Sequence, residues 1–143
     1  MQIDTHAFGT IDIDEDQVIR LTEPMAGFLE HTRFAVLDPD PEVPFKWFQS
    51  VDSADVCFLI SDPAQFFPEY RVELSKNQLQ DLQITEETDT AVAVVLRIPK
   101  EMNEATANLL APVIFNTQAK LARQIILDGS GHPVRAPLLT PQK

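Results

Sequence analysis

Counted from Asp12, carboxylates fall at positions one, three, five and twelve of a loop (Asp12, Asp14, Asp16, Glu23), the spacing with which an EF-hand encloses calcium. Position six is Gln17, where that tight turn requires glycine, and the flanks alternate with period two instead of forming helices. The spacing therefore reads as a solvated strand face and turn. Asp52 with Asp55, and Glu86 and Glu87 with Asp89, offer paired carboxylates for acid–base work. Such pairs need burial or a close charge partner to move their proton affinities, and these lie in polar, turn-rich stretches, so they read as surface. His6, His31 and His132 are far apart, and Cys57 has no second sulfur in metal-ligand range, so no metal is expected. Cys57 sits between Val56 and Phe58 in an apolar run, the setting of a small buried hydrophobe. The glycines, at 9, 27, 129 and 131, are too scattered for a phosphate loop, a dinucleotide fingerprint or a nucleophile elbow. No cofactor and no catalytic residue is expected.

The charge is unevenly placed. The chain carries 22 Asp and Glu against 11 Lys and Arg, a net of -11, and all of that excess lies in residues 1–70. Residues 71–143 balance. Such a field attracts cationic protein surfaces and opposes phosphate backbones, so direct nucleic-acid binding is not expected; on charge alone, acidity that merely keeps a small protein soluble is the competing reading. A chain of 143 residues with 44% apolar content can bury one sizeable core, and one domain over 1–143 is expected. The start MQIDTHAFGT has no cationic segment followed by an apolar run, and no apolar run approaches the roughly 20 residues that span a bilayer. A cytoplasmic protein without a membrane association is the expectation.

The elements that must position these side chains are short and strand-like. Isoleucines at 11 and 13 alternate with aspartates at 12 and 14 in a strand within Phe8 to Asp14. Further strands are predicted at Val18 to Leu21, Phe34 to Leu37, Phe45 to Val51, Val56 to Ser61, Arg71 to Leu74, Ala91 to Ile98, Asn108 to Phe115 and Arg123 to Leu127. Asp52 to Asp55 reads as a hairpin turn, and the prolines at 39, 41 and 44 force another. Ser75 to Gln78 fits a capping box, predicting a helix that runs to about Leu82. Met102 to Ala107 is read as one further helical turn. The tail from Gly129, with Pro133, Pro137 and Pro141, reads as an extended or loose arm. The fold class expected is mainly β: a small single-domain antiparallel β-barrel-like fold with one or two short helices.

Two stretches carry more specific information. One is Pro44-Phe45-Lys46-Trp47-Phe48-Gln49-Ser50, running through the apolar strand that ends in Asp62-Pro63 to Phe66-Phe67-Pro68-Glu69-Tyr70. The other is Ala105-Thr106-Ala107-Asn108-Leu109-Leu110-Ala111-Pro112-Val113-Ile114-Phe115-Asn116, followed by Arg123-Gln124-Ile125-Ile126-Leu127. In order and spacing the chain resembles the FliW family of flagellar assembly factors over nearly its whole length. Leu21 to Phe28 keeps only the glutamate and the final Gly-Phe of the family's loop, and His132 stands where the family has an aromatic.

The resemblance implies a protein-binding regulator and not an enzyme. It implies binding to flagellin and to CsrA, a small basic RNA-binding regulator, with relief of CsrA's repression of flagellin translation. The concentration of aromatics at Phe45, Trp47, Phe66, Phe67 and Tyr70 is expected to anchor a partner, with Asp62, Glu69 and Glu73 as an acidic rim and Asn108 and Asn116 as strand-edge amides; plain core packing is the competing reading for the aromatics, Phe67 and Tyr70 included. For the two asparagines, a buried amide satisfied by backbone is the competing reading. The competing reading for the whole chain is an enzyme or small-ligand binder on a small barrel. That reading calls for a deep pocket with two buried titratable groups in contact.

Overall fold

The computed structural model describes residues 1–25, 27–99 and 104–138. Eleven strand segments and one short α-helix follow in chain order: β1 Gln2–Thr5, β2 Gly9–Asp12, β3 Val18–Leu21, β4 Arg33–Leu37, β5 Lys46–Ser50, β6 Cys57–Ser61, α1 Lys76–Asp81, β7 Thr90–Arg97, β8 Thr106–Ala107, β9 Val113–Asn116, β10 Leu121–Gln124 and β11 Ala136–Pro137. Antiparallel pairings run β3-β4-β5-β6-β7. The order continues β3-β10-β9, and β9 returns to pair with β7, so seven strands close a barrel. Every pairing in the ring is antiparallel except β3 with β10. Closure removes most of the open edges that a sheet of short strands would otherwise present.

The strands are apolar on both faces because both faces are covered. In β4, Phe34 and Val36 point into the barrel, where they meet Phe48, Ile60, Val113 and Phe115. Ala35 and Leu37 point outward, under the β1–β2 hairpin, which lays Ile3, Ile11 and Ile13 over them. Each isoleucine taken fully out of water contributes roughly 1.5–3 kcal/mol. The hairpin's return is set by Thr5 Oγ1, which donates to the Gly9 carbonyl at 2.8 Å and accepts from the Phe8 amide at 2.9 Å. Gly9 takes φ of +68°, a region that a side chain would strain.

Two more outer clusters complete the coat. Val72, Leu74 and Leu82 cover Ile114 and Ile125 on one side. Phe45, Phe67, Tyr70 and Leu138 cover Val94, Leu96 and Ala107 on another. The helix starts as its sequence dictates: Gln78 N–H donates to Ser75 Oγ at 3.2 Å, and Gln78 Oε1 accepts from the Ser75 amide at 2.8 Å. It ends at Asp81, with Leu82 fully buried as its C-cap.

One barrel end is plugged. The loop after β3 drops Met25 into the interior and sets Phe28 edge-on to Phe58 at 5.0 Å, near the start of β6. Gly27, with φ of +86°, permits that turn.

Several sequence expectations change. Arg71 to Leu74 is irregular chain, because it crosses the outside of β7 to deliver Val72 and Leu74 to a cluster instead of joining a ladder. Residues 108–112 are a loop between β8 and β9, not part of a strand. Of the helical turn at Met102 to Ala107, residues 102 and 103 lie outside the described residues, while Thr106–Ala107 forms β8. The tail is stitched down through Leu138: β11 pairs with β8, Leu109 N–H reaches the Pro133 carbonyl at 3.1 Å, and Leu138 N–H reaches the Ala105 carbonyl at 3.0 Å. Residues 139–143 lie outside the described residues. Among the described residues, no helix is long and apolar enough to cross a membrane.

Candidate functional site

The segment leaving β6 is held by local chemistry at each step. Asp62 Oδ1 accepts from the Ala64 amide at 2.9 Å and caps a single 3-10 turn, Pro63–Gln65, with proline in the first position where no N–H is needed. Phe67 N–H then bonds to the Pro63 carbonyl at 2.7 Å, and Tyr70 N–H to the Phe67 carbonyl at 3.0 Å. Phe67 and Tyr70 are thereby laid half-buried on the outer face of β7, beside Phe45. The Tyr70 hydroxyl donates to the Leu109 carbonyl at 2.6 Å, and its ring meets His132 edge-on at 4.8 Å. Burial pushes the Tyr70 phenol up to about 12.

The raised phenol has a definite sign. The folded state holds the proton more tightly than the unfolded chain, so this contribution is present below the ordinary value of 10 and is lost as pH rises from 10 toward about 12. Tyr70→Phe is expected to cost about 1 kcal/mol at neutral pH, because the Leu109 carbonyl loses its donor. It is also expected to flatten the alkaline decline. Urea unfolding of both proteins between neutral pH and the alkaline limit tests this, and identical alkaline slopes would show that Tyr70 does not set the decline.

The aromatic expectations converge only in part. Phe45, Trp47 and Phe8 form an edge-to-face chain, with centroids 5.7 Å and 5.2 Å apart. Sequence reasoning misses Phe8 because it belongs to a hairpin that folds over β4 and β5 from the far end of the chain. Phe66 is half-buried, and Asp62 and Glu69 are exposed.

The asparagines do other work. Asn116 is 2% exposed. Its Nδ2 donates to the carbonyls of Leu82 and Gln83 at 2.8 and 3.2 Å, and its Oδ1 accepts from the amides of Gln118 and Ala119 at 3.1 and 3.0 Å. It is corrected from a partner contact to a strut between α1 and the β9–β10 turn. Asn108 Oδ1 accepts from the amides of Leu110 and Ala111, both at 3.1 Å, and so builds the turn after β8. In each case an asparagine closes the turn two and three residues ahead, a signal readable in sequence as an Asx turn.

The carboxylate pairs separate. Asp52 receives Arg33, whose Nε lies at 3.1 Å and whose guanidinium is pushed up by that pairing, while Asp55 bonds to His6. The candidate calcium ligands also scatter. Asp14 opens a 3-10 turn in which the Gln17 side chain returns to its amide at 2.9 Å, and Glu23 pairs with Arg123 at 3.3 Å. Cys57 shares a shallow depression of about 360 Å³ with His6, Trp47 and Asp55. Burial pushes its thiol up, which opposes a thiolate nucleophile.

The barrel's unplugged end opens into a cleft of about 860 Å³ beside the ends of β4, β6 and β9 and the starts of β5 and β7. Its charged lining groups include Asp38 and Lys46, 3.8 Å apart with side chains 34% and 53% exposed, so the cleft's clearest ion pair is a wet surface pair. Along residues 1–70, Asp4, Asp14, Glu15, Asp16, Glu30, Asp40, Glu42, Asp62 and Glu69 are exposed and have no salt-bridge partner among the described residues. Most of the acidity of this half is therefore presented to solvent.

A family model described as FliW protein matches residues 2–138. A flagellar assembly factor FliW of Alkaliphilus metalliredigens is 38% identical over 129 residues, covering 90% of this chain and 80% of the relative. That of Desulfitobacterium hafniense is 35% identical over 143 residues, covering 100% of this chain and 94% of the relative. A crystal structure of the flagellar assembly factor FliW superimposes with a TM-score of 0.91 at 34% identity, covering 98% of both chains. Motifs, barrel and relatives agree, and the chain belongs to the FliW family of flagellar assembly factors.

Proposed function

We propose that this chain acts by docking proteins: it binds flagellin, and when flagellin is scarce it binds the translational regulator CsrA and relieves repression of flagellin synthesis. The observation that carries the reading is the set of exposed, uncompensated carboxylates on residues 1–70. They give a basic RNA-binding protein a reason to associate and give RNA a reason to leave, because like charge in the same neighbourhood costs phosphate contacts. Membership of the FliW family supports the flagellar setting. The half-buried aromatics Phe45, Trp47, Phe66, Phe67 and Tyr70 are the anchors available to either partner, with Asp62, Glu69 and the turn at Asn108 beside them. The work is done in the cytoplasm, where translation is regulated, and no substrate is turned over.

Titration by calorimetry against purified CsrA and purified flagellin tests the reading. Both are expected to bind at low salt. The CsrA isotherm should weaken about tenfold or more between roughly 0.05 and 0.5 M salt, as screening removes the long-range attraction. Absence of binding to both partners at low salt would sink the proposal.

A further inference from the structure

Among the described residues, the barrel's closure leaves one stretch of β7 unpaired on one side. Thr117 N–H bonds to the Asp89 carbonyl, and Ala91 and Ala93 sit opposite Phe115 and Val113, so residues 89, 91 and 93 turn their backbone groups toward β9. Thr90 and Val92 therefore turn theirs the other way, toward β6. But β6 pairs only with Val94 to Leu96 and departs at Asp62. Pro63 brings no N–H, and its carbonyl is taken by the amides of Phe66 and Phe67. The ladder groups of Thr90 and Val92 thus face the 860 Å³ cleft, with no backbone partner among the described residues.

The rim has a sign. Of the cleft's cations, Lys46 is placed at Asp38, and Arg71 donates to the carbonyls of Pro68 and Tyr70 at 2.9 Å. Asp62 lines the cleft, Asp40 and Glu42 flank its Pro41, and Asp89 precedes Thr90. All four are exposed. An extended chain entering here finds a short row of backbone donors and acceptors, an apolar floor that includes Ile60 and Phe115, and an excess of negative charge at the mouth.

We propose that this cleft takes an extended, cationic segment of a protein partner, added as a short strand to the open Thr90–Val92 edge of β7. The occupant's kind rests on the protein-docking reading above; its place rests on the open ladder and the charge. Addition of a strand supplies affinity through main-chain bonds, and alternate side chains read the apolar floor and the acidic rim. A second copy of this chain is disfavoured, because it would bring two acidic rims together.

The probe is a fluorescein-labelled peptide of alternating Lys and Val, with a Glu-Val peptide of the same length as control, followed by polarisation and by amide chemical shifts. The cationic peptide is expected to bind and to perturb Thr90 and Val92 first, and the anionic one to bind roughly tenfold more weakly or worse. Val92→Pro removes the outward N–H while the bonds to β9 are borne by Ala91 and Ala93, so it should fold and weaken the peptide about tenfold. Asp40→Lys with Glu42→Lys alters only exposed loop positions and should reverse the charge preference. The inference is overturned if folded Val92→Pro and the double variant both bind as the parent does. It is also overturned if the free edge is consumed by a dimer that Val92→Pro dissolves. Intact CsrA and flagellin are titrated in parallel. Their binding unchanged by either variant sinks the edge site and spares the docking reading, whereas edge-specific peptide binding with neither protein bound does the reverse.

Discussion

Phe48→Ala is expected to remove about 3–5 kcal/mol of stability, a large part of what a domain of this size possesses. Phe48 is fully buried at the middle of the barrel, stacked on Phe34 with centroids 4.5 Å apart and planes 10° from parallel, and edge-on to Phe115 at 5.5 Å. Its register partners, Val36 and Phe58, belong to the same interior. A closed ring of seven strands cannot collapse onto the hole, because each strand is held by neighbours on both sides. The cavity cost therefore adds almost fully to the lost transfer energy. Urea unfolding monitored by circular dichroism measures it. A loss below about 1 kcal/mol would mean that the interior is not packed as described.

Asn116→Ala is the second large effect, expected at about 2–4 kcal/mol, because one side chain satisfies two carbonyls and two amides. The Leu82 carbonyl is bonded in a buried setting, where an orphaned acceptor finds no water. Asn116→Asp sharpens the test by replacing the donating amide with an acceptor that faces two carbonyls. Burial and that repulsion favour the protonated acid in the folded state, so the folded value lies above the unfolded one and the variant should regain stability as pH falls from 7 toward about 4. Chemical denaturation at both pH values reads the difference. An Asn116→Asp variant as stable as the parent at neutral pH would show that these bonds are not formed.

Much of the local structure was legible. β3, β4, β5, β6 and β7 coincide closely with runs of β-branched and aromatic residues, and the capping box at Ser75 starts α1 where the serine and glutamine spacing places it. These signals are local: a side chain's preference for a pleated surface, or an oxygen three residues from an amide, needs no knowledge of the rest of the chain. The acidic bias of residues 1–70 is likewise a property of composition.

What resisted reading involves distance along the chain. Arg71 to Leu74 has a strand's alternation but becomes a strap, since Val72 and Leu74 are recruited by Ile114 and Ile125 from far downstream. Phe8 joins Trp47 only because the first hairpin folds across β4. The Asx turn at Asn116 is local, but whether its Nδ2 faces a partner or the Leu82 carbonyl is decided only by packing.

By itself the sequence determined where β3 to β7 and the start of α1 form, and that one half of the chain is acidic, because those follow from short-range geometry and side-chain chemistry. The tertiary structure alone decided that β9 returns to β7, that one barrel end is plugged while the other opens, and that Thr90 and Val92 have no backbone partner among the described residues. Ring closure pairs residues far apart in the chain, and the energy that selects one such pairing belongs to the whole packed barrel and to no local segment.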